Sequence, residues 1–373
     1  MFKRLIALVL SLMLAFFAFA EYASDNENFI LGKDCYDAGD LEGAYYYYTL
    51  AAEEGDASAQ CNLGTMYLYG LYVEEDDEEA FRLFTLSSEQ GNYGGQNNLA
   101  YLYLNGWGTE VDYYKAFELF ALSAEQGSAN ALCSLGYMYE SGLGTEQSFE
   151  LALECYSSAA EMGNAGAAYN AGYLIERGAG TEQDDALAFE YYVKAADLGS
   201  VSGMFAAAYN LAHGIGTAQD YEAAAVYYTL AANNGDAAAM NNLGIMYEDG
   251  LGVEQDLELA AQLYIAAANG GDINALNCLG LLYLDGRGVE QSYETAIALF
   301  GQAMTEGNML AAINLAELYR DGIGVEQNIE TAIELYTVAL EGGYISVAQE
   351  LGELYEELGL SEKAAEMYAL CGE

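Results

Sequence analysis

The sequence is poor in side chains that do covalent chemistry. His213 is the one histidine, which removes any site needing two imidazoles. No Ser-x-x-Lys occurs: the residues three before Lys33, Lys115, Lys194 and Lys363 are Ile30, Asp112, Tyr191 and Leu360. Gly-x-Ser-x-Gly, His-Glu-x-x-His, Cys-x-x-Cys and a phosphate-loop Gly-Lys-Ser/Thr are all missing. The acidic clusters lack the alternate spacing with a sixth-position glycine that calcium loops use. No catalytic residue, cofactor or metal site is therefore expected. What remains for chemistry is recognition: 34 tyrosines, isolated cations, and six cysteines at Cys35, Cys61, Cys133, Cys155, Cys278 and Cys371.

Charge narrows the partners. The 373 residues carry 58 acids against 10 Lys+Arg, a formal charge of −48. Nucleic-acid binding rests on cations that neutralise phosphates, so it is excluded as an expectation. An anionic membrane surface is disfavoured for the same reason. About half the chain is apolar (53%), too much for a disordered acidic tail. Residues 1–20 read as an export signal. Lys3 and Arg4 precede an apolar run from Leu5 to Phe19, and Ala18-Phe19-Ala20 is a small-x-small cleavage pattern. The mature protein is expected to be exported, periplasmic or secreted, with no membrane contact after cleavage.

The elements that would position the tyrosines repeat every 36 residues. Small residues recur at Gly64, Ala100, Gly136, Gly172, Ala208, Gly244, Gly280, Ala316 and Gly352. A second series runs from Gly55 to Gly343, and a third from Ala44 to Ala332, with the same period. Such periods mean stacked supersecondary units. Each unit reads as two antiparallel helices. Gly55 and its equivalents stop one helix, and the Asp, Asn or Ser that follows caps the next. Asp40, Asp76, Asp112, Ser148, Asp184, Asp220, Asp256, Ser292 and Asn328 cap the second helices. The mid-helix small residue marks a close helix approach, with the Ala44 series expected on its opposite side. The aromatic series Tyr48, Phe84, Phe120, Tyr156, Tyr192, Tyr228, Tyr264, Phe300, Tyr336 and Tyr368 is assigned to the core.

The run Asn242-Leu243-Gly244-Ile245-Met246-Tyr247-Glu248-Asp249-Gly250-Leu251-Gly252-Val253 resembles the Sel-1-like repeat, a relative of the tetratricopeptide repeat with a longer inter-helix loop. Asn62-Leu63-Gly64-Thr65-Met66-Tyr67 is similar, and the resemblance spans about residues 24 to 373. It implies an all-α fold: a right-handed α-solenoid of about ten antiparallel helix pairs. The division is a signal peptide (1–20), a short tetratricopeptide-like capping unit (21–55), eight 36-residue repeats (56–343) and a short C-terminal capping unit (344–373). It also implies a protein-interaction scaffold without catalysis. Exported relatives that bind host proteins such as immunoglobulins, and cysteine-rich relatives described as penicillin-binding or β-lactamase-like, are the alternatives. The paired cysteines of that cysteine-rich branch are replaced here by Ala52, Gln60, Ala124 and Leu132. Cys133 and Cys155 alone share one helix pair, where an antiparallel arrangement would bring them level as a candidate disulfide.

In tetratricopeptide-like stacks the first helices line the concave side. The residue after the repeated small one would then face a groove, and it is tyrosine in four consecutive units: Tyr101, Tyr137, Tyr173 and Tyr209. Tyr169 and Phe205, three before the small residue, fall in the same stretch, with Arg177 and His213 one turn beyond the tyrosines. Tyrosine combines large contact area with a polar tip, so these eight are the candidate site for a peptide or protein partner. Core packing is the alternative for the tyrosines. Glu74, Glu110, Glu146, Glu182, Glu254, Glu290 and Glu326 share one loop position. That ridge would steer a basic partner, or serve only as a solvated face that keeps a tyrosine-rich chain soluble.

Overall fold

A computed structural model describes residues 24–371; the proposed signal peptide lies outside them. These residues form twenty α-helices and one 3-10 turn, with no strand among the described residues. Consecutive helices pack in pairs into a solenoid. The chain divides into two compact units. One runs to Gly203 and includes Ile215–Thr217; the other takes Met204–Gly214 and everything from Ala218. The first holds the helix pairs from Glu27–Asp37 with Leu41–Glu53 to Ala165–Glu176 with Asp185–Asp197. The second holds Tyr221–Asn233 and the pairs from Ala237–Asp249 with Leu257–Asn269 to Ala348–Glu357 with Ser361–Leu370.

One repeat of the second unit shows why this sequence folds this way. Asp236 accepts the Ala239 amide at 2.7 Å and so satisfies an orphan donor at the start of Ala237–Asp249. Gly250 ends that helix in the left-handed region (φ 71°), its amide reaching the Met246 carbonyl. Asp256 then caps Leu257–Asn269 by accepting from Leu259 at 3.0 Å. All nine predicted second-helix caps accept a backbone amide three residues on. A glutamine in the loop adds a further tie. Gln255 donates its side-chain amide to the Glu248 carbonyl at 2.7 Å, and Gln147, Gln219, Gln291 and Gln327 do the same seven residues back. Each ties the loop to the last turn of the first helix.

The packing refines one expectation. The small residue of the first helix lies nearest the aromatic ring of the second, and the Ala44 series closes in behind the ring, as at Gly172, where a Cβ would lie 3.1 Å from the Ala188 carbonyl. A Cβ on Gly244 would lie 2.7 Å from the Tyr264 ring. The ring is fully buried with Ala260, Ala267, Ala275, Leu279 and Leu282 around it. Glycine is tolerated mid-helix, at about 1 kcal/mol against alanine, because it lets this ring approach. The final repeat departs at its start. Tyr344 stands where other repeats place Asp, Asn or Ser, no side chain caps the backbone, and a 3-10 turn, Ile345–Val347, leads into Ala348–Glu357.

Candidate functional site

The four tyrosines after the small residue have different fates. Tyr101 is core: it is 7% exposed, its ring meets Phe120 edge-on at 4.9 Å, and its hydroxyl pairs with Ser134 at 2.6 Å. Burial pushes its pKa well above the ordinary tyrosine value. It cannot present a ring to a partner, and the groove expectation fails for it. Tyr137, Tyr173 and Tyr209 are 41%, 38% and 41% exposed. The same position holds half-buried Ile245 and Leu281 and then exposed Glu317 and Glu353, so the aromatic character is confined to the middle of the chain.

In the first unit, the repeat 165–200 builds a small polar cluster around Tyr173. Arg177, one turn on, donates to the Tyr173 hydroxyl at 2.8 Å, and its guanidinium lies 5.2 Å from the ring centroid. Beside it Tyr192, on the second helix, donates to Glu176 at 2.7 Å. Tyr192 is raised far above its ordinary pKa, first by burial and then by that carboxylate. Tyr169 is half-buried and tilted against Tyr192 at 5.6 Å, with Ala160, Ala168 and Ala195 beneath it. It packs on Tyr192 and keeps part of its surface open.

In the second unit, Phe205, Tyr209 and His213 form one stacked row along a helix. Their centroids are 6.5 Å and 4.1 Å apart, with interplanar angles of 18° and 29°. Nδ1 of His213 lies 2.8 Å from the Tyr209 carbonyl, so the tautomer with hydrogen on Nδ1 donates there and leaves Nε2 outward. Phe205 is half-buried and packs on Tyr228 at 5.7 Å. Tyr209 and His213 are exposed.

The cysteines do not form the candidate disulfide: all six are free thiols. The Cys133 thiol feels Cys155, and both thiols are raised above the ordinary value. Burial chiefly pushes them up to about 12 and about 11. The seven ridge glutamates are all exposed. No group of three His, Cys, Asp or Glu that could hold a metal occurs among the described residues. No described helix is long and apolar enough to cross a membrane.

The Sel1 repeat family model matches nine segments: 29–56, 57–92, 94–128, 129–164, 165–200, 201–236, 237–272, 274–308 and 310–344. The chain belongs to the Sel1 repeat family. The first match falls on the short N-terminal unit, whose cap Asp40 follows Gly39 directly. Two solved structures share the fold. One is a protective antigen of uropathogenic Escherichia coli with a Sel1-like-repeat fold, 27% identical, covering 92% of this chain and 83% of that one, TM-score 0.69. The other is a Sel1 repeat protein of Oxalobacter formigenes, 28% identical, covering 89% and 95%, TM-score 0.60. No curated protein matches this chain. Solenoids of this family are generally protein-interaction scaffolds and typically non-catalytic.

Proposed function

We propose that this Sel1 repeat protein is an exported, non-catalytic scaffold that grips a segment of another protein with the first-helix face of its repeats. The observation that carries this is the pair of exposed tyrosines at one repeat position of the first unit, Tyr137 and Tyr173, with Arg177 against the second; Tyr209 with His213 offers a separate aromatic patch on the second unit. Large amphipathic rings left in water are costly surface for a monomer and good anchors for an interface. The excess of 58 acids over 10 cations favours a partner of basic character and disfavours nucleic acid. The charged and apolar run at residues 3–19 supports export, as does the likeness to a protein described as a protective antigen.

The test is a cross-linked pull-down with residues 21–373, beside Tyr137→Ala, Tyr173→Ala and Tyr209→Ala combined. All three are surface residues, so the variant should keep its helicity. Loss of a captured partner in the variant supports the reading. The same partner captured equally by both forms refutes it and turns attention to the glutamate ridge. Export is tested separately, by sequencing the amino terminus of the protein recovered outside the cytoplasm.

A further inference from the structure

The repeats 129–164 and 165–200, both in the first unit, carry nearly the same polar cluster. In each, an exposed tyrosine follows the small residue (Tyr137, Tyr173). In each, a second-helix tyrosine donates to a glutamate three residues further along the first helix: Tyr156 to Glu140 at 2.8 Å, Tyr192 to Glu176 at 2.7 Å. Tyr137 lies close enough to raise the pKa of Tyr156, after the larger effects of burial, Glu140 and Cys133. The clusters differ at one position. Repeat 165–200 supplies its own guanidinium, Arg177, on the ring and hydroxyl of Tyr173. Repeat 129–164 has Ser141 there, and among the described residues no lysine or arginine lies over Tyr137.

Arginines also meet the second-helix tyrosine or its carboxylate partner in the second unit, in other arrangements. Arg287 donates to Glu248 at 2.8 Å, and Glu248 also accepts from Tyr264 at 2.7 Å. Arg320 donates to Tyr336 at 3.2 Å. Arg287 comes from the loop of the following repeat, and Arg320 stands at the position that Glu140 and Glu176 hold, so among the described residues only Arg177 places a guanidinium on a tyrosine of the Tyr137 position.

We infer that the corner formed by Tyr137, Glu140 and Ser141 is a seat for an arginine or lysine side chain of the partner, which would sit on Tyr137 as Arg177 sits on Tyr173. A ring face attracts a cation through its quadrupole, and the half-buried Glu140 carboxylate adds charge pairing. The strong negative charge of the whole chain favours delivery of such a group. The inference names one anchor of the proposed partner and rests on that reading for its biological setting.

The experiment titrates the full mature chain, carrying 13C-labelled tyrosine rings, with N-acetyl-argininamide and with its neutral isostere N-acetyl-citrullinamide. The Tyr137 signal is assigned by its loss in Tyr137→Ala. Tyr209 is the internal control, because His213 already stacks on it. The expected result is a saturable shift of Tyr137 with the arginine probe, several times that of Tyr209 and absent with citrulline. Ser141→Arg, which fills the seat from within, abolishes the shift, and Glu140→Gln weakens binding a few-fold. Equal shifts with both probes overturn the inference, as does a response unchanged in both variants. A seat that responds while the pull-down partner survives the tyrosine changes would sink the groove reading alone. A lost partner with a silent Tyr137 would sink the seat alone.

Discussion

Replacing Gly288 by alanine should be among the most damaging single-methyl changes available to this fold, and the repeat supplies its own controls. Gly288 is the second glycine of a Gly-x-Gly loop and has φ 69°. An alanine held in the left-handed region costs roughly 1–2 kcal/mol. Gly271, with φ 92°, would incur a backbone cost of that kind alone, because nothing lies within 4 Å of a Cβ built there. A Cβ on Gly288 would instead overlap the Leu257 carbonyl and lie 2.8 Å from the Leu257 Cβ. Carbon–carbon contacts are comfortable at about 3.5–4.0 Å, so the first turn of Leu257–Asn269 must move. Overpacking of this kind adds about 1–3 kcal/mol. Gly288→Ala should therefore lose about 2–5 kcal/mol, against about 1–2 for Gly271→Ala. Gly301, mid-helix with nothing within 4 Å, should gain up to about 1 kcal/mol as alanine. Urea denaturation followed by circular dichroism ranks the three. Solenoids transmit stability between neighbouring units, so hydrogen exchange of the amides at 258–262 reads the local loss directly. If Gly288→Ala and Gly271→Ala shift the midpoint equally, the loop does not bear on the preceding repeat and the packing argument is wrong.

Three further outcomes are expected. Asn210 is 2% exposed and its side-chain nitrogen has no hydrogen-bond partner, while the same repeat position is Leu or Met in Met66, Leu102, Met138, Leu174, Met246, Leu282, Leu318 and Leu354; Asn210→Leu should raise stability by about 1–3 kcal/mol in the same urea assay. Burial raises Tyr228 and Tyr336 from 10.0 to about 12, and Tyr48, Tyr156, Tyr192 and Tyr264 higher still. The folded state thus holds protons that the unfolded state releases, so helicity should be flat up to about pH 10 and collapse as pH rises beyond it; unfolding that begins near neutrality would contradict this. Cys133 and Cys155 should resist Ellman's reagent at pH 8 in the folded chain and react on unfolding, whereas exposed Cys371 reacts at once; a protein whose mass rises on reduction would restore the disulfide.

The period, the helix limits and the caps were all legible, because each rests on local chemistry repeated nine or ten times. A cap needs one side-chain oxygen at one position, and Asp256 or Ser292 declares it without knowledge of the fold. What lies opposite what was less legible. The small residue at Gly244 announces a close approach but not whether a methyl or a ring fills it; only the rotation of one helix against the other brings Tyr264 there. The same limit explains Tyr101. Tyr101 and Tyr137 share a repeat position and residue type, yet one is buried and one exposed. The buried hydroxyl meets Ser134 on the neighbouring helix, and one repeat on that position holds the larger Asn170. The loop glutamines each stand beside a charged residue, so composition alone does not single them out. Their regular seven-residue reach back to a carbonyl was the signal that would have found them.

A repeat array separates stability from recognition by position rather than by region. Positions that every unit buries, such as the aromatic facing the small residue, admit few side chains because a change breaks the same contact that each neighbour relies on. Positions that face outward are free to differ, and the chain uses that freedom unevenly. After the small residue it places tyrosine in the middle repeats and glutamate in the last two. One turn further it places serine at 141, arginine at 177, histidine at 213 and aspartate at 249, 285 and 321. Solubility alone does not require this gradient, since the ridge glutamates and second-helix acids already surround the fold with charge. A uniform outward column of glutamate would serve a scaffold that only had to remain dissolved. Exposed rings kept at one stretch of an otherwise acidic array are the departure from such a column, and the exchange of Arg177 for Ser141 between adjacent repeats is its sharpest instance.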